Sequence, residues 1–127
     1  MRNLRPVVPL LLVGALACST AAPGGQETDS GIEGQVTRGP IQPVCVVDAP
    51  CDEPFAALFH VSQDGREIAT FHSDGAGLFS IELPPGDYII TADSTAPIMF
   101  PAQQAKTVLV EPNTVVRVAL DFDTGIR

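Results

Sequence analysis

From Gly31 onward, apolar and polar residues alternate with a period of two, which is typical of half-buried β-strands rather than of helices. The clearest case is TVVRVALDF at 114–122, in which every second residue from Val116 to Phe122 is apolar. The same alternation predicts seven strands, at 31–38, 55–62, 66–72, 77–83, 86–93, 105–111 and 114–122.

Turn residues separate these strands. Asp64-Gly65 predicts a tight hairpin, because glycine tolerates a positive φ. Pro84 and Pro85 predict the end of the fourth strand, because proline cannot donate a hydrogen bond to a neighbouring strand. Twelve prolines and eleven glycines fit a chain of many short elements. The sequence therefore predicts an all-β fold, a seven-stranded antiparallel β-sandwich.

The N-terminal segment MRNLRPVVPLLLVGALACST has the layout of a secretory signal. Arg2 and Arg5 precede an apolar run, and small residues follow it. A transmembrane helix is the alternative, but it needs roughly 20 apolar residues, about twice the length of this run.

The end of that run, GALAC, resembles the lipobox of bacterial lipoproteins. The resemblance implies that residues 1–17 are a lipoprotein signal peptide and that Cys18 is the acylated residue, for example by palmitate. The family usually has leucine where this chain has Ala15, so ordinary cleavage after Ala17 and a secreted or periplasmic form remain the alternative. Residues 18–30 contain almost no large apolar side chains and predict a flexible tether.

Three cysteines leave one unpaired in an exported protein. If Cys18 carries lipid, Cys45 and Cys51 remain, and their short separation allows a disulfide in an oxidising compartment. The alternative is a metal site, but two thiols without a nearby histidine make half a zinc site at best.

Charge narrows the choice of partners. The chain has 15 acidic and 7 basic residues, a formal charge of −8. Removal of Arg2 and Arg5 with the signal leaves 15 acidic against 5 basic residues, or −10. This balance excludes nucleic acid as a partner, because phosphate binding depends on lysine and arginine.

The stretch DGAGLFSIELPPGDYII at 74–90 contains closely spaced glycines. A phosphate-binding loop would need a helix after them, whereas a strand pattern follows. The stretch instead resembles the signature of the carboxypeptidase regulatory-like domain, also called prealbumin-like or transthyretin-like. The matching residues are Asp74, Gly77, Phe79, Ile81, Leu83, Pro84, Pro85, Gly86 and Tyr88. The resemblance covers residues 31–127 and implies a prealbumin-like sandwich. The chain also resembles small bacterial lipoproteins that contain this domain.

No catalytic motif is visible. His60 and His72 lie on predicted strands without a motif neighbour, and we expect both on a solvated face. Ser62, Ser73, Ser80 and Ser94 could complete a Ser-His-Asp set only on paper. The closing Tyr-Arg-Gly-Ser run of transthyretin-type hydrolases is missing, so the resemblance does not imply their activity. The chain is therefore not expected to be an enzyme.

Calcium is the alternative among metals, because it prefers clustered oxygen ligands. The acidic residues of the cysteine-containing segment and of the turns do not have EF-hand spacing; they are Asp48, Asp52, Glu53, Asp64 and Asp74. We therefore expect no bound metal and no cofactor.

Together these observations predict a non-catalytic, membrane-anchored extracytoplasmic module with a structural or protein-interaction role, on a bacterial outer membrane or cell surface. Its partner would be an envelope protein. A carbohydrate-binding accessory domain is the alternative, and a hydrolase comes third. Any function is expected in the irregular segment that holds Cys45 and Cys51.

Overall fold

The computed structural model describes residues 29–127, and the predicted signal peptide and Cys18 lie outside them. The described chain forms eight strands and a short 3-10 helix at Pro101–Gln103. The strands are β1 (Gly31–Gly39), β2 (Glu53–Pro54), β3 (Leu58–Gln63), β4 (Arg66–His72), β5 (Leu78–Glu82), β6 (Gly86–Ala92), β7 (Lys106–Val110) and β8 (Val115–Asp123). Within residues 29–127, no helix is long and apolar enough to cross a membrane.

The strands form two four-stranded sheets. In the first sheet, β1 pairs with β8 along one side and with β5 and β2 along the other. The second sheet has the order β4-β3-β6-β7. The all-β sandwich predicted from the alternation is therefore confirmed.

Two details differ from the expectation of seven antiparallel strands. β1 and β8 are parallel, with nine residue pairs from Gly31↔Val115 to Gly39↔Asp123, whereas the other pairings are antiparallel. The described chain also contains β2, whose two residues are too few to show alternation. Alternation along a strand determines which side chains face the core, but not the direction of its neighbour.

The core lies between the sheets and is rich in aromatic rings. Phe59 is fully buried, and its ring centroid lies 5.1 Å from that of Phe71 and 5.6 Å from that of Phe122. Five of the six phenylalanines are buried, whereas Phe100 is 62% exposed. The alternating apolar positions of the two sheets thus meet as predicted.

The glycines of the 74–90 stretch form a turn. The carboxylate of Asp74 accepts hydrogen bonds from the backbone N–H groups of Ala76 and Leu78, at 2.9 Å each. Gly77 has a φ of 77°, and a side chain there would overlap the carbonyl of Val36. These residues therefore hold the start of β5 against β1.

The rest of the stretch belongs to the core and to the next turn. Phe79 and Tyr88 are buried, and Phe79 stacks on Phe71 at 4.6 Å between centroids. β5 ends before Pro84 and Pro85, and the hydroxyl of Tyr88 donates to the carbonyl of Pro84. Gly86 has a φ of 152°. A strand rather than a helix follows the glycines, so the stretch lacks the N-terminal helix dipole that a phosphate site uses.

Candidate functional site

The sandwich has two ends that differ in character. We call the end where β1 begins, beside Ser30, the N-terminal end, and the end where β1 stops at Gly39 the loop end. The nine residues of β1 separate the two ends by about 30 Å. The cysteine loop, residues 40–52, extends from the loop end.

The cysteine loop is held by covalent and hydrogen bonds. A disulfide joins Cys45 and Cys51, whose Cα atoms are 5.5 Å apart. At the base of the loop, the N–H of Ile41 donates to the carbonyl of Cys51 at 2.8 Å, and the hydroxyl of Thr124 donates to the carbonyl of Pro40 at 2.6 Å. The predicted disulfide is therefore present, and it closes a loop that is also fixed to the last residues of the chain.

The tip of the cysteine loop is apolar and exposed. Val44, Val46 and Val47 are 71%, 55% and 87% exposed. The N–H of Ala49 donates to the carbonyl of Val46 at 3.4 Å, so the tip is a turn, and Asp48 within it has a φ of 67°. Of the ten large apolar residues that are exposed in residues 29–127, three thus lie close together on one restrained turn, and apolar side chains grouped on a surface suit a contact with another molecule.

The charges within the cysteine loop are both negative. Asp48 and Asp52 form no ion pair among residues 29–127. Next to the loop, Arg38 is already engaged: its Nε lies 2.9 Å from Oε2 of Glu53, and its Nη1 donates to the carbonyl of Pro97 at 3.0 Å. The apolar tip is thus accompanied by two uncompensated carboxylates.

A second group of polar side chains lies on the outer face of the second sheet and is centred on His60. Its Nε2 is 2.8 Å from Oδ1 of Asp93, and its Nδ1 is 2.7 Å from Oε1 of Glu67, although this second contact lacks the alignment of a hydrogen bond. The hydrogen bond to Asp93, together with the negative charge of Glu67, raises the pKa of His60. His60 thus lies on the outer face of the sheet with its side chain 28% exposed, and two carboxylates that no sequence motif indicated face its ring.

A bulge in the β3–β4 pairing brings Glu67 to this face. Val61 pairs with Ala69, but the next residue, Ser62, pairs with Glu67. Strict alternation would place Glu67 on the same face as Ala69, whereas the extra residue turns it outward beside His60. Sequence reasoning missed this cluster because alternation alone does not reveal a bulge.

The carboxylate of Asp93 is also stabilised in its charged form. The hydroxyl of Thr95 donates to Oδ2 of Asp93 at 2.6 Å, and this hydrogen bond, with the one from His60, lowers the pKa of Asp93 to about 2. Asp93 follows β6, so the cluster ties β3, β4 and the segment after β6 together.

The arrangement around His60 does not resemble a catalytic triad or a metal site. Both ring nitrogens face carboxylates, so neither is directed at a serine hydroxyl. Ser73 is buried and bonded to the backbone of Phe55 and Ala57, which is a structural role. In the part of the chain that the structure describes, no three His, Cys, Asp or Glu residues are grouped to hold a metal ion.

The fold resembles that of several solved structures. A DUF3823 family protein from Bacteroides ovatus is 18% identical with a TM-score of 0.52, and the match covers 72% of this chain and 42% of that one. The minor pilin of Streptococcus agalactiae is 18% identical with a TM-score of 0.51, over 74% and 44% of the two chains. The Bacillus anthracis TIE protein is 15% identical with a TM-score of 0.50, over 91% and 19%.

These similarities concern the sandwich alone. The match spans less than half of each of the three neighbouring chains, and all identities are below 20%. No protein-family model and no curated protein matches the sequence.

Proposed function

We propose that this protein is a non-catalytic, extracytoplasmic β-sandwich module, anchored by lipid at Cys18, that binds an envelope protein through its cysteine loop. The observation that carries the proposal is the exposed turn of Val44, Val46 and Val47, restrained by the Cys45–Cys51 disulfide at the loop end.

Two observations support an extracytoplasmic location. Disulfides persist in oxidising compartments and are rare in the cytosol, and this chain contains one. One structural neighbour is a pilin. The resemblance of the 74–90 stretch to the carboxypeptidase regulatory-like signature is compatible with an accessory module of this kind.

The positions of anchor and loop fit the proposed role. A lipid on Cys18 would reach the sandwich through residues 19–30, which join the domain at its N-terminal end. The cysteine loop lies about 30 Å away at the loop end, because β1 runs the length of the domain. The valines therefore lie at the end of the domain opposite the point where the flexible tether joins it, where the membrane attachment leaves them open to a partner.

The chemistry of the loop favours a protein partner over a glycan. Sugar sites usually present aromatic faces, and Phe100 is the one phenylalanine with a mostly exposed ring. Aliphatic side chains such as Val46 and Val47 instead fit an apolar pocket. Asp48 and Asp52 would then meet lysine or arginine at the rim of that pocket.

Site-specific photo-crosslinking in living cells tests this proposal. A photoreactive residue at position 47 of the full chain should give a defined adduct with one envelope protein. The matched control is position 109, because Leu109 is also exposed, at 54%, but lies on β7 opposite Asp87, away from the cysteine loop. Val46→Asp should reduce the adduct from position 47 by about tenfold or more, because it would place a charge in an apolar contact.

A comparable adduct from both positions, or none from position 47, would contradict the proposal. Replacement of both Cys45 and Cys51 by serine gives a further check. The sandwich should remain folded, because a disulfide that closes so short a loop contributes only about 2 kcal/mol to stability. The adduct should nevertheless weaken, because the turn is no longer restrained.

A further inference from the structure

Among residues 29–127, β8 is paired with β1 along one side and with no strand along the other. The N–H of Gly31 donates to the carbonyl of Thr114 at 3.1 Å, and the N–H of Thr124 donates to the carbonyl of Gly39 at 2.9 Å. The even-numbered residues that flank β8 at both ends thus bond to β1. Because successive residues of a strand point their backbone groups to opposite sides, the odd-numbered residues point away from β1.

Within residues 29–127, Asp123 alone among these odd-numbered residues has partners for its backbone groups. The carbonyl of Asp123 accepts from the N–H of Met99 at 2.9 Å, and its N–H donates to Oε1 of Gln104 at 2.7 Å. Within residues 29–127, β8 pairs with β1 alone, and no hydrogen bond reaches the backbone groups of the other four. These four are Val115, Arg117, Ala119 and Asp121.

This free edge is accessible. Ala119 is exposed, the side chain of Arg117 is 82% exposed, and a groove of about 500 Å³ lies between β7 and β8. An unpaired edge of this kind is a template for another strand.

We propose that β8 pairs with β8 of a second copy of this chain, antiparallel, with the two-fold axis passing through Ala119. Odd-numbered residues then face odd-numbered residues. Backbone hydrogen bonds form at three positions: Ala119 with Ala119, and Arg117 with Asp121 in both directions. Pairing stops at Asp123, whose backbone is already bonded.

The outer face of the strand is self-complementary in this register. Arg117 of each copy lies opposite Asp121 of the other, and opposite charges across paired strands are attractive. The small Ala119 side chains meet on the axis without a clash. Arg117 is now paired with Glu33 at 2.9 Å on an exposed surface, an interaction that contributes little and can be exchanged.

The inner face is complementary as well. The same register places Val118 opposite Leu120 of the second copy. Val118 is only partly buried against the core, whereas Leu120 is buried. The apolar face at the sheet edge therefore continues across the two-fold axis. Because the chain carries a net charge of −8, association should be measured near physiological ionic strength, where repulsion beyond about 8 Å is screened.

Disulfide cross-linking of the full chain tests the pairing. Directly opposed residues of a hydrogen-bonded antiparallel pair have Cα atoms about 5.5 Å apart, which is within disulfide range. Ala119→Cys should therefore give a reducible covalent dimer on non-reducing gels. Ser80→Cys is the matched control, because Ser80 is also exposed on the first sheet but lies on β5. It should give no more dimer than the wild type.

A charge exchange tests the register independently. Asp121→Arg should raise the dissociation constant of the dimer about tenfold, because two symmetry-related pairs change from attraction to repulsion. The double variant Arg117→Asp with Asp121→Arg should restore it. Absence of the Ala119→Cys dimer, equal cross-linking from Ser80→Cys, cross-linking to a different protein, or no recovery in the double variant would each overturn the proposal.

Discussion

His60 shows how a single side chain links three elements of the second sheet. It lies on β3, contacts Glu67 on β4 and is bonded to Asp93 after β6. Its pKa is raised by these carboxylates, so the folded protein binds the imidazole proton more tightly than the unfolded chain does. The resulting stabilisation is complete below the unfolded pKa and is lost as the pH rises through the folded pKa.

We therefore expect the free energy of unfolding of the wild type, relative to that of His60→Gln, to fall as the pH rises from about 6.5 through the raised pKa of His60. Glutamine keeps a hydrogen-bonding group but cannot be protonated. Urea unfolding of the full chain at several pH values measures the difference.

His72→Gln is the control for this measurement. His72 is exposed and forms no ion pair among residues 29–127. This variant therefore controls for the loss of one imidazole from the same sheet. A wild-type profile parallel to that of His60→Gln would show that the carboxylates do not stabilise the protonated ring.

At the scale of elements, the parallel pair β1–β8 depends on one glycine. Gly34 faces Val118 across the pair, and a Cβ at Gly34 would overlap the backbone carbonyl of Val118. Backbone atoms of a paired strand cannot move aside without breaking the ladder. The close contact of the two strands therefore requires the absence of a side chain.

Gly34→Ala should accordingly lower the free energy of unfolding by at least about 2 kcal/mol. Gly75→Ala is the matched control, because a Cβ at Gly75 would meet no atom within 4 Å and its φ is not positive. That variant should stay within about 0.5 kcal/mol of the wild type in chemical denaturation. Equal stability of the two variants would mean that β1 and β8 are not in close contact.

The seven predicted strands agree with the structure to within a few residues, because a core between two sheets imposes a period of two on every strand. The hairpin at Asp64-Gly65 and the strand end at Pro84 follow from local backbone chemistry. The alternation could not show which strands pair, or in which direction. The parallel direction of β8 and the bulge that exposes Glu67 depend on pairings between distant segments.

The candidate site was predicted only in part, because its geometry also depends on contacts between distant segments. The disulfide between Cys45 and Cys51 was predicted from three features together: their short separation, the assignment of Cys18 to lipid and the export of the chain to an oxidising compartment. The exposure of the valines between and beside them depends on the loop projecting from the loop end. That arrangement follows from how β1, β2 and the last residues meet, which no local pattern encodes.

At the scale of the whole molecule, the proposed anchor can be tested by fractionation. Cys18→Ala should move the protein from the membrane fraction to the soluble fraction, because a multiply acylated cysteine supplies the lasting attachment. Cys51→Ala is the control, since it removes a cysteine that lies in the cysteine loop instead. Unchanged partitioning of Cys18→Ala would contradict lipid attachment at this residue.

The parallel pairing of β1 and β8 also has a mechanical consequence. Gly31 begins β1 at one end of the sandwich, and Asp123 ends β8 at the other. A force that pulls these two residues apart acts along both strands in opposite directions, so all nine residue pairs are loaded in shear at once. They must break together rather than one after another. The domain is therefore built to withstand tension along its long axis.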